Sequence, residues 1–153
     1  MRKYLLVLLL AALPLAAQEK PRLSIVERAL SWIGVRYRFG GSDETKGFDC
    51  AGFVRRVFST AGVSLPRSAA TQFREGCSVP LDELQPGDLV FFKNTYKRGI
   101  SHVGIYLGDS QFIHAASSRR SVVVDRLDSP YFLTRFAGGR RLAELQPEGG
   151  GGR

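Results

Sequence analysis

The hydrophobic pattern changes character once along this chain, at Pro86-Gly87-Asp88, and that change narrows the folds open to it. Before it, apolar residues recur at helical spacing. Ser24 and Glu27 have capping-box spacing and are followed by Ile25, Val26, Ala29, Leu30 and Ile33, which predicts a helix ending near Gly34. Residues 35–48, with Gly40, Gly41 and Gly47, read as loop. Residues 50–61 predict a second helix. Phe53, Val54, Val57 and Phe58 form its apolar face, Arg55 and Arg56 face water, and Gly62 stops it. Residues 68–74 predict a short third helix. Beyond the turn the pattern is that of strands, over residues 89–92, 101–107, 111–115, 122–124 and 134–137, with 93–99 a basic loop. Helices first and strands after predict an α+β fold, its N-terminal helices packed on one face of a central antiparallel sheet.

The ends of the chain set its compartment and domain count. Arg2 and Lys3 precede an apolar stretch, Leu5 to Leu13, that is too short to span a bilayer, and Leu15-Ala16-Ala17 has the small-residue character of a cleavage site. Residues 1–17 are therefore expected to be a signal peptide, with the rest secreted or periplasmic and without a stable membrane anchor. What remains suits one catalytic-sized domain, 18–142, and a disordered Gly-rich tail, 143–153. The chain holds 22 Lys and Arg against 14 Asp and Glu, a formal charge of +8. Outside the cytoplasm, such a surface favours anionic cell-wall polymers or lipid headgroups over nucleic acid, for which there is no motif. Nothing in the sequence signals an oligomer, so a monomer is expected.

There are two cysteines, and in an oxidising compartment the simplest expectation is one disulfide between Cys50 and Cys77. The surroundings of Cys50 compete with that reading. Asp49 is a natural N-cap, which puts Cys50 in the first turn of the second helix. There the unpaired amides favour a thiolate, while the Asp49 charge opposes it, so an imidazole or cation partner is required.

The two histidines, His102 and His114, both fall in the hairpin around Gly108-Asp109-Ser110. A three-residue loop pairs Leu107 with Gln111 and Gly104 with His114. Both histidines then lie on one face as diagonal neighbours, and Gly104 leaves room for a ring. A two-residue Asp109-Ser110 turn would put them on opposite faces. The first register permits a Cys50, His102, His114 line with the logic of nucleophile, base and orienting group. Two histidines without a further ligand cluster do not make a zinc site, and no metal or cofactor is called for.

At these residues the chain resembles the NlpC/p60 cell-wall peptidases, a papain-like cysteine-peptidase family, over roughly residues 24–136. The matching segments, in order, are Tyr37-Arg38-Phe39-Gly40-Gly41, Gly47-Phe48-Asp49-Cys50-Ala51-Gly52-Phe53-Val54, Pro86-Gly87-Asp88-Leu89-Val90-Phe91-Phe92, His102-Val103-Gly104-Ile105-Tyr106-Leu107-Gly108 and Phe112-Ile113-His114-Ala115. The resemblance implies a papain-like NlpC/p60 fold. It implies Cys50 as nucleophile, His102 as general base and acid, and His114 orienting His102. Tyr37 would reach the active site, the Cys50 amide would help hold an oxyanion, and Asp49 would receive the free amine of a peptidoglycan stem peptide. Arg67 and Ser68 resemble a segment lining the groove. The implied reaction is hydrolysis of the γ-D-glutamyl bond to the diamino acid through an acyl-enzyme.

One departure bears on specificity. The family usually has serine after the cysteine, where this chain has Ala51, and that hydroxyl also helps receive the amine. Cys77 matches no family role and is expected to be a buried, small apolar residue. An amidase or an acyltransferase on the same scaffold, or a non-catalytic wall binder, are the alternatives. A binder's thiol is expected to alkylate slowly at neutral pH.

Overall fold

The computed structural model describes residues 15–145. Most of the proposed signal peptide, residues 1–14, and the tail from 146 lie outside them. The first helix, α1 (Leu15–Ser31), starts earlier than the capping-box spacing predicts, and Ser24 is an interior residue. The stretch ahead of Ser24 contains good helix formers, so the spacing alone cannot mark a start. Arg22, Ile25 and Ala29 form the buried stripe of α1, whereas Leu30 and Ile33, expected in the apolar face, are exposed. No helix among the described residues is long and apolar enough to cross a membrane.

The loop after α1 holds two short strands, β1 (Ser42–Asp43) and β2 (Gly47–Phe48), paired antiparallel. Helix α2 (Cys50–Ser59) follows, with Ala51, Phe53, Val54, Val57 and Phe58 buried and Gly62 beyond it at φ +77. Helix α3 (Ala69–Gln72) is capped by Ser68 in a capping box with Thr71. The six-stranded antiparallel sheet comprises β3 (Cys77–Val79), β4 (Leu89–Lys93), β5 (Ile100–Gly108), β6 (Gln111–Ala116), β7 (Ser121–Arg126) and β8 (Phe136–Arg141), in the spatial order β3-β8-β4-β5-β6-β7. The expected strand at 134–137 is displaced, because Thr134 and Arg135 end a helix, α4 (Pro130–Arg135), that precedes β8.

The N-terminal helices pack on one face of the sheet, as expected, and α4 covers the other. On one face Leu89, Phe91, Val103, Ile105, Ile113, Ala115 and Val122 pack with the apolar residues of α1 and α2. On the other, Val90, Phe92, Phe112 and Leu127 pack with Phe132 of α4 and with Phe136. This is why residues 89–92 form an unbroken apolar run.

A buried carboxylate ties α1 to the sheet. Asp88 is fully buried and takes Arg22 at 3.2 Å and Arg141 at 3.0 and 2.8 Å. Arg22 also donates to the carbonyl of Leu145, which is buried in the short 3₁₀ turn Ala143–Leu145. Residues 143–145 therefore belong to the packed domain, contrary to a tail beginning at 143.

Candidate active site

The histidine register is set by the β5–β6 hairpin. Ile105 pairs with Ile113 and Tyr106 with Phe112, the register of the three-residue loop. Yet the turn itself is the two-residue Asp109-Ser110, at φ 50 and φ 56, as in a type I′ turn. A register shift between Tyr106 and Gly108 absorbs the difference. Both histidines thus share a face, and His102 Nε2 lies 2.6 Å from His114 Nδ1. Gly104 is required for this. A Cβ there would stand 2.7 Å from the Phe112 ring and 3.2 Å from the His114 Cβ.

His114 is buried, and its other nitrogen, Nε2, lies 2.9 Å from Asp125 Oδ2 on β7. Arg119 reaches the second Asp125 oxygen at 3.1 Å. Asp125 lies one residue beyond the strand expected at 122–124, because β7 runs on to Arg126. The signal was a single acidic residue closing the apolar run Val122-Val123-Val124, on the strand that pairs with the His114 strand. The rings of Phe112 and Phe132 pack against His114 with centroids 4.5 and 5.5 Å away.

Cys50 stands at the start of α2. The Asp49 side chain accepts from the Gly52 amide at 2.7 Å, and the Asp49 carbonyl from Phe53. The Cys50 and Ala51 amides are left without a carbonyl acceptor, the disposition of an anion-binding helix start. Gly41 and Gly52, one from each motif, leave the room that this packing needs. A Cβ on Gly52 would collide with the Gly41 carbonyl, which itself accepts from the Asp49 amide at 3.0 Å. The thiol sits against β5, its Sγ 4.0 Å from the carbonyl of Ser101, the residue before His102. No hydrogen bond joins the thiol to the imidazole. No disulfide joins Cys50 to Cys77 either. Cys77 is exposed on an edge strand whose inward residue is Val79, which corrects its expected burial.

The thiol opens onto a cleft of about 150 Å³ lined by Tyr37, Phe39, Asp49, Arg67, Tyr96 and Lys97 among others. A larger hollow of about 370 Å³ on the outer side of α2, lined by Arg55, Arg56 and several serines, includes neither Cys50 nor either histidine. The Tyr37 hydroxyl makes no hydrogen bond within the described residues. Burial, with the neighbouring Cys50 and Asp49, pushes it up to about 12, so it stays a donor. Arg67 binds Asp49 bidentately, at 3.0 and 2.8 Å. Ser68 lines the cleft, but its hydroxyl is occupied in capping α3. Phe39, Tyr96 and Lys97 were not singled out as site residues in the sequence.

The electrostatics reverse one expectation. Burial, then the Asp49 charge, pushes the Cys50 thiol up to about 11, outweighing the helix start. Burial, then His114, holds His102 well below the ordinary histidine value of 6.5. At neutral pH the resting pair is therefore thiol and neutral imidazole. Slow alkylation of Cys50 is expected of this arrangement whether or not the protein is an enzyme, so it does not distinguish a binder.

Three comparisons place this geometry among known proteins. The NlpC/P60 family model matches residues 34–141. Over 122 residues the chain is 46% identical to a Gamma-DL-glutamyl hydrolase of Bacillus subtilis, covering 79% of this chain and 29% of that protein. It is 43% identical over 121 residues to Murein DD-endopeptidase MepS/Murein LD-carboxypeptidase of Escherichia coli, covering 77% of this chain and 61% of the relative. The chain thus spans less than two thirds of the length of both relatives. A solved NLP/P60 family protein of Staphylococcus aureus, described as similar to lipoprotein, superposes with a TM-score of 0.75 at 36% identity, over 81% of this chain and 42% of that one. A family match over most of the described residues, with the hairpin and helix start in their expected relation, means that the chain belongs to the NlpC/P60 family.

Proposed function

We propose that this protein is an exported cysteine peptidase that hydrolyses the stem peptides of peptidoglycan. The observation that carries the reading is the 2.6 Å contact between His102 Nε2 and His114 Nδ1, on the strand whose Ser101 carbonyl touches the Cys50 thiol. With Nε2 engaged, His102 has Nδ1 left to serve as base. Substrate binding would turn the thiol from Ser101 towards that nitrogen, since such contacts tighten in the Michaelis complex. As sulfur attacks the scissile carbonyl, the S–H bond breaks and an Nδ1–H bond forms. The Cys50 amide then faces the developing oxyanion. The proton passes to the leaving amine, giving a thioester. Water, deprotonated by His102, releases the acid and restores the thiol. The Tyr37 hydroxyl is placed to donate to the bound peptide.

The neutral resting pair sets the pH dependence. Activity of the free enzyme requires unprotonated His102, whose proton affinity is lowered, so kcat/KM should stay level through the ordinary histidine range and fall only well below it. On the alkaline side it should hold until the thiol ionises towards about 11. A narrow bell with an alkaline limb near 8 or 9 would instead indicate a preformed thiolate–imidazolium pair.

Two bonds compete for the assignment, and the relatives' names differ in the same way. The γ-D-glutamyl bond to the diamino acid is favoured by the resemblance, at 34% identity over 118 residues, to a Gamma-D-glutamyl-L-lysine dipeptidyl-peptidase of Bacillus cereus. A bond further inside cross-linked stems is favoured by Asp49. Its carboxylate is already engaged by Arg67, and Ala51 offers no hydroxyl, so a free ammonium gains little there. Blocking the stem amine by acetylation is expected to change kcat/KM by less than about threefold, on the order of 0.7 kcal/mol. A loss above about thirtyfold would restore Asp49 as an amine receptor. Digestion of purified sacculi and of defined tri- and tetrapeptide stems, with products identified by mass, tests the whole reading. Wild type should release peptide fragments and Cys50→Ala none, and the fragment masses decide the bond. Sacculi left intact by wild type would reject the hydrolase reading.

A further inference from the structure

We propose that Asp125 is a positioning residue that sets the tautomer of both histidines and so leaves His102 Nδ1 bare for the Cys50 proton. The inference rests on the cysteine-peptidase reading above and adds to it a residue outside the Cys50, His102, His114 set.

The argument is one of donors and acceptors. Three contacts run in line: His102 Nε2 to His114 Nδ1 at 2.6 Å, His114 Nε2 to Asp125 Oδ2 at 2.9 Å, and Asp125 Oδ1 to Arg119 at 3.1 Å. An ionised carboxylate only accepts, and a guanidinium only donates. Asp125 is held in that ionised form by the hydrogen bond from His114, followed by the charges of His114 and Arg119. His114 must therefore carry its proton on Nε2. In the neutral ring, Nδ1 is then an acceptor, and the only way to satisfy it is for His102 to donate from Nε2. Neutral His102 with its proton on Nε2 has an unprotonated Nδ1. The far end of the chain thus decides which atom of the near end is the base.

Among the described residues, the surroundings leave this chain of contacts no competing proton source. His114 is 2% exposed and enclosed by the rings of Phe112 and Phe132, which donate nothing. The ionisable groups that bear on it are His102 from β5, Asp125 from β7 and Arg119 from the turn before β7. The same line also acts once Nδ1 is protonated. The His102 cation donates to His114, whose acceptor strength is raised by the carboxylate behind it.

Asparagine at 125 should invert the pattern, because it can offer an N–H to His114 Nε2. His114 then carries its proton on Nδ1, His102 must accept at Nε2, and the base atom is blocked. Asp125→Asn is expected to lower kcat by about 10–100-fold with KM within about twofold, as when the partner of a functional histidine is lost. Asp125→Glu, still acceptor-only, should recover most of that loss. The readout that a purely structural role would not move is the ¹⁵N spectrum of the two imidazoles. Both rings of the wild type should be protonated at Nε2, and Asp125→Asn should shift them towards Nδ1. If Asp125→Asn does not fold, the wild-type spectrum alone decides. His102 protonated at Nδ1 in the neutral wild type would overturn the proposal, as would Asp125→Asn with unchanged tautomers and rate. Either result would leave the cysteine-peptidase reading standing. Cleavage retained by Cys50→Ala would overturn both, since there would be no thiol proton for His102 to take.

Discussion

Cys50→Ala is expected to reduce stem-peptide cleavage by at least about 10⁴-fold, the scale at which loss of a nucleophile leaves only binding and oxyanion stabilisation. The fold should be indifferent to the change. Cys50 contributes a small buried side chain, and the helix start it occupies is held by the Asp49 cap and by Phe53. Thermal unfolding of the variant should therefore lie close to wild type while turnover disappears. His102→Ala should lose activity on a similar scale, because a thiol pushed up to about 11 has essentially no thiolate at neutral pH without a base beside it. A Cys50→Ala enzyme within tenfold of wild type would mean that the cleft is not where the chemistry happens.

The largest stability effect is expected at Asp88, far from the reacting atoms. Replacing it with alanine removes the fully buried carboxylate that holds Arg22 of α1 and Arg141 of β8. It also removes the acceptor for the Gln85 amide at 2.8 Å. Two guanidiniums would be left facing each other with their common counter-ion gone. Breaking a buried pair in this way costs about 3–5 kcal/mol. In a chain of this size that is on the order of 10 °C in Tm. Asp88→Asn, which keeps an acceptor but loses the charge, should cost less, on the order of 1–3 kcal/mol. Urea denaturation of the three proteins measures this directly. An Asp88→Ala protein as stable as wild type would show that packing against Ile25, Ala29 and Leu145 secures α1 without the ion triad.

What the sequence made legible followed from local rules. The Asp49 cap and the apolar face of α2 are consequences of residue order and helical spacing, and both are as expected. The shared face of His102 and His114 was readable because a strand has a period of two and Gly104 leaves a gap opposite a ring. The register held even though the turn is tighter than the one that predicted it, since a bulge beside Gly108 absorbs the extra residue. The start of α1 was not readable, because helix formers upstream of Ser24 continue the helix through it. Strand β3 is three residues long and pairs only with β8, so it has no alternation to detect. Helix α4 did carry a signal, Ser129 followed by Pro130, that marks a helix start.

The site divides along the same line. The placement of His102 beside His114, which depends on spacing, was legible, while properties that depend on burial were not. The raised thiol, the lowered imidazole and the Arg67 clasp on Asp49 arise from groups brought together by the tertiary fold, 51 and 18 residues apart in the contacts that matter. Asp125 belongs with them. It meets His114 only when β7 is laid beside β6, which places the carboxylate diagonally behind the ring.

In the proposed reaction Cys50 attacks the peptide carbonyl from a neutral thiol and holds the acyl group as a thioester. The most direct measurement is to quench a digestion of a defined stem peptide with acid during the first turnovers and weigh the intact protein. A mass increase equal to the acyl half of the cleaved peptide is expected, located on the fragment containing Cys50 and lost on treatment with hydroxylamine. Cleavage that proceeds with no adduct at Cys50, under conditions where product release is seen to burst, would contradict it.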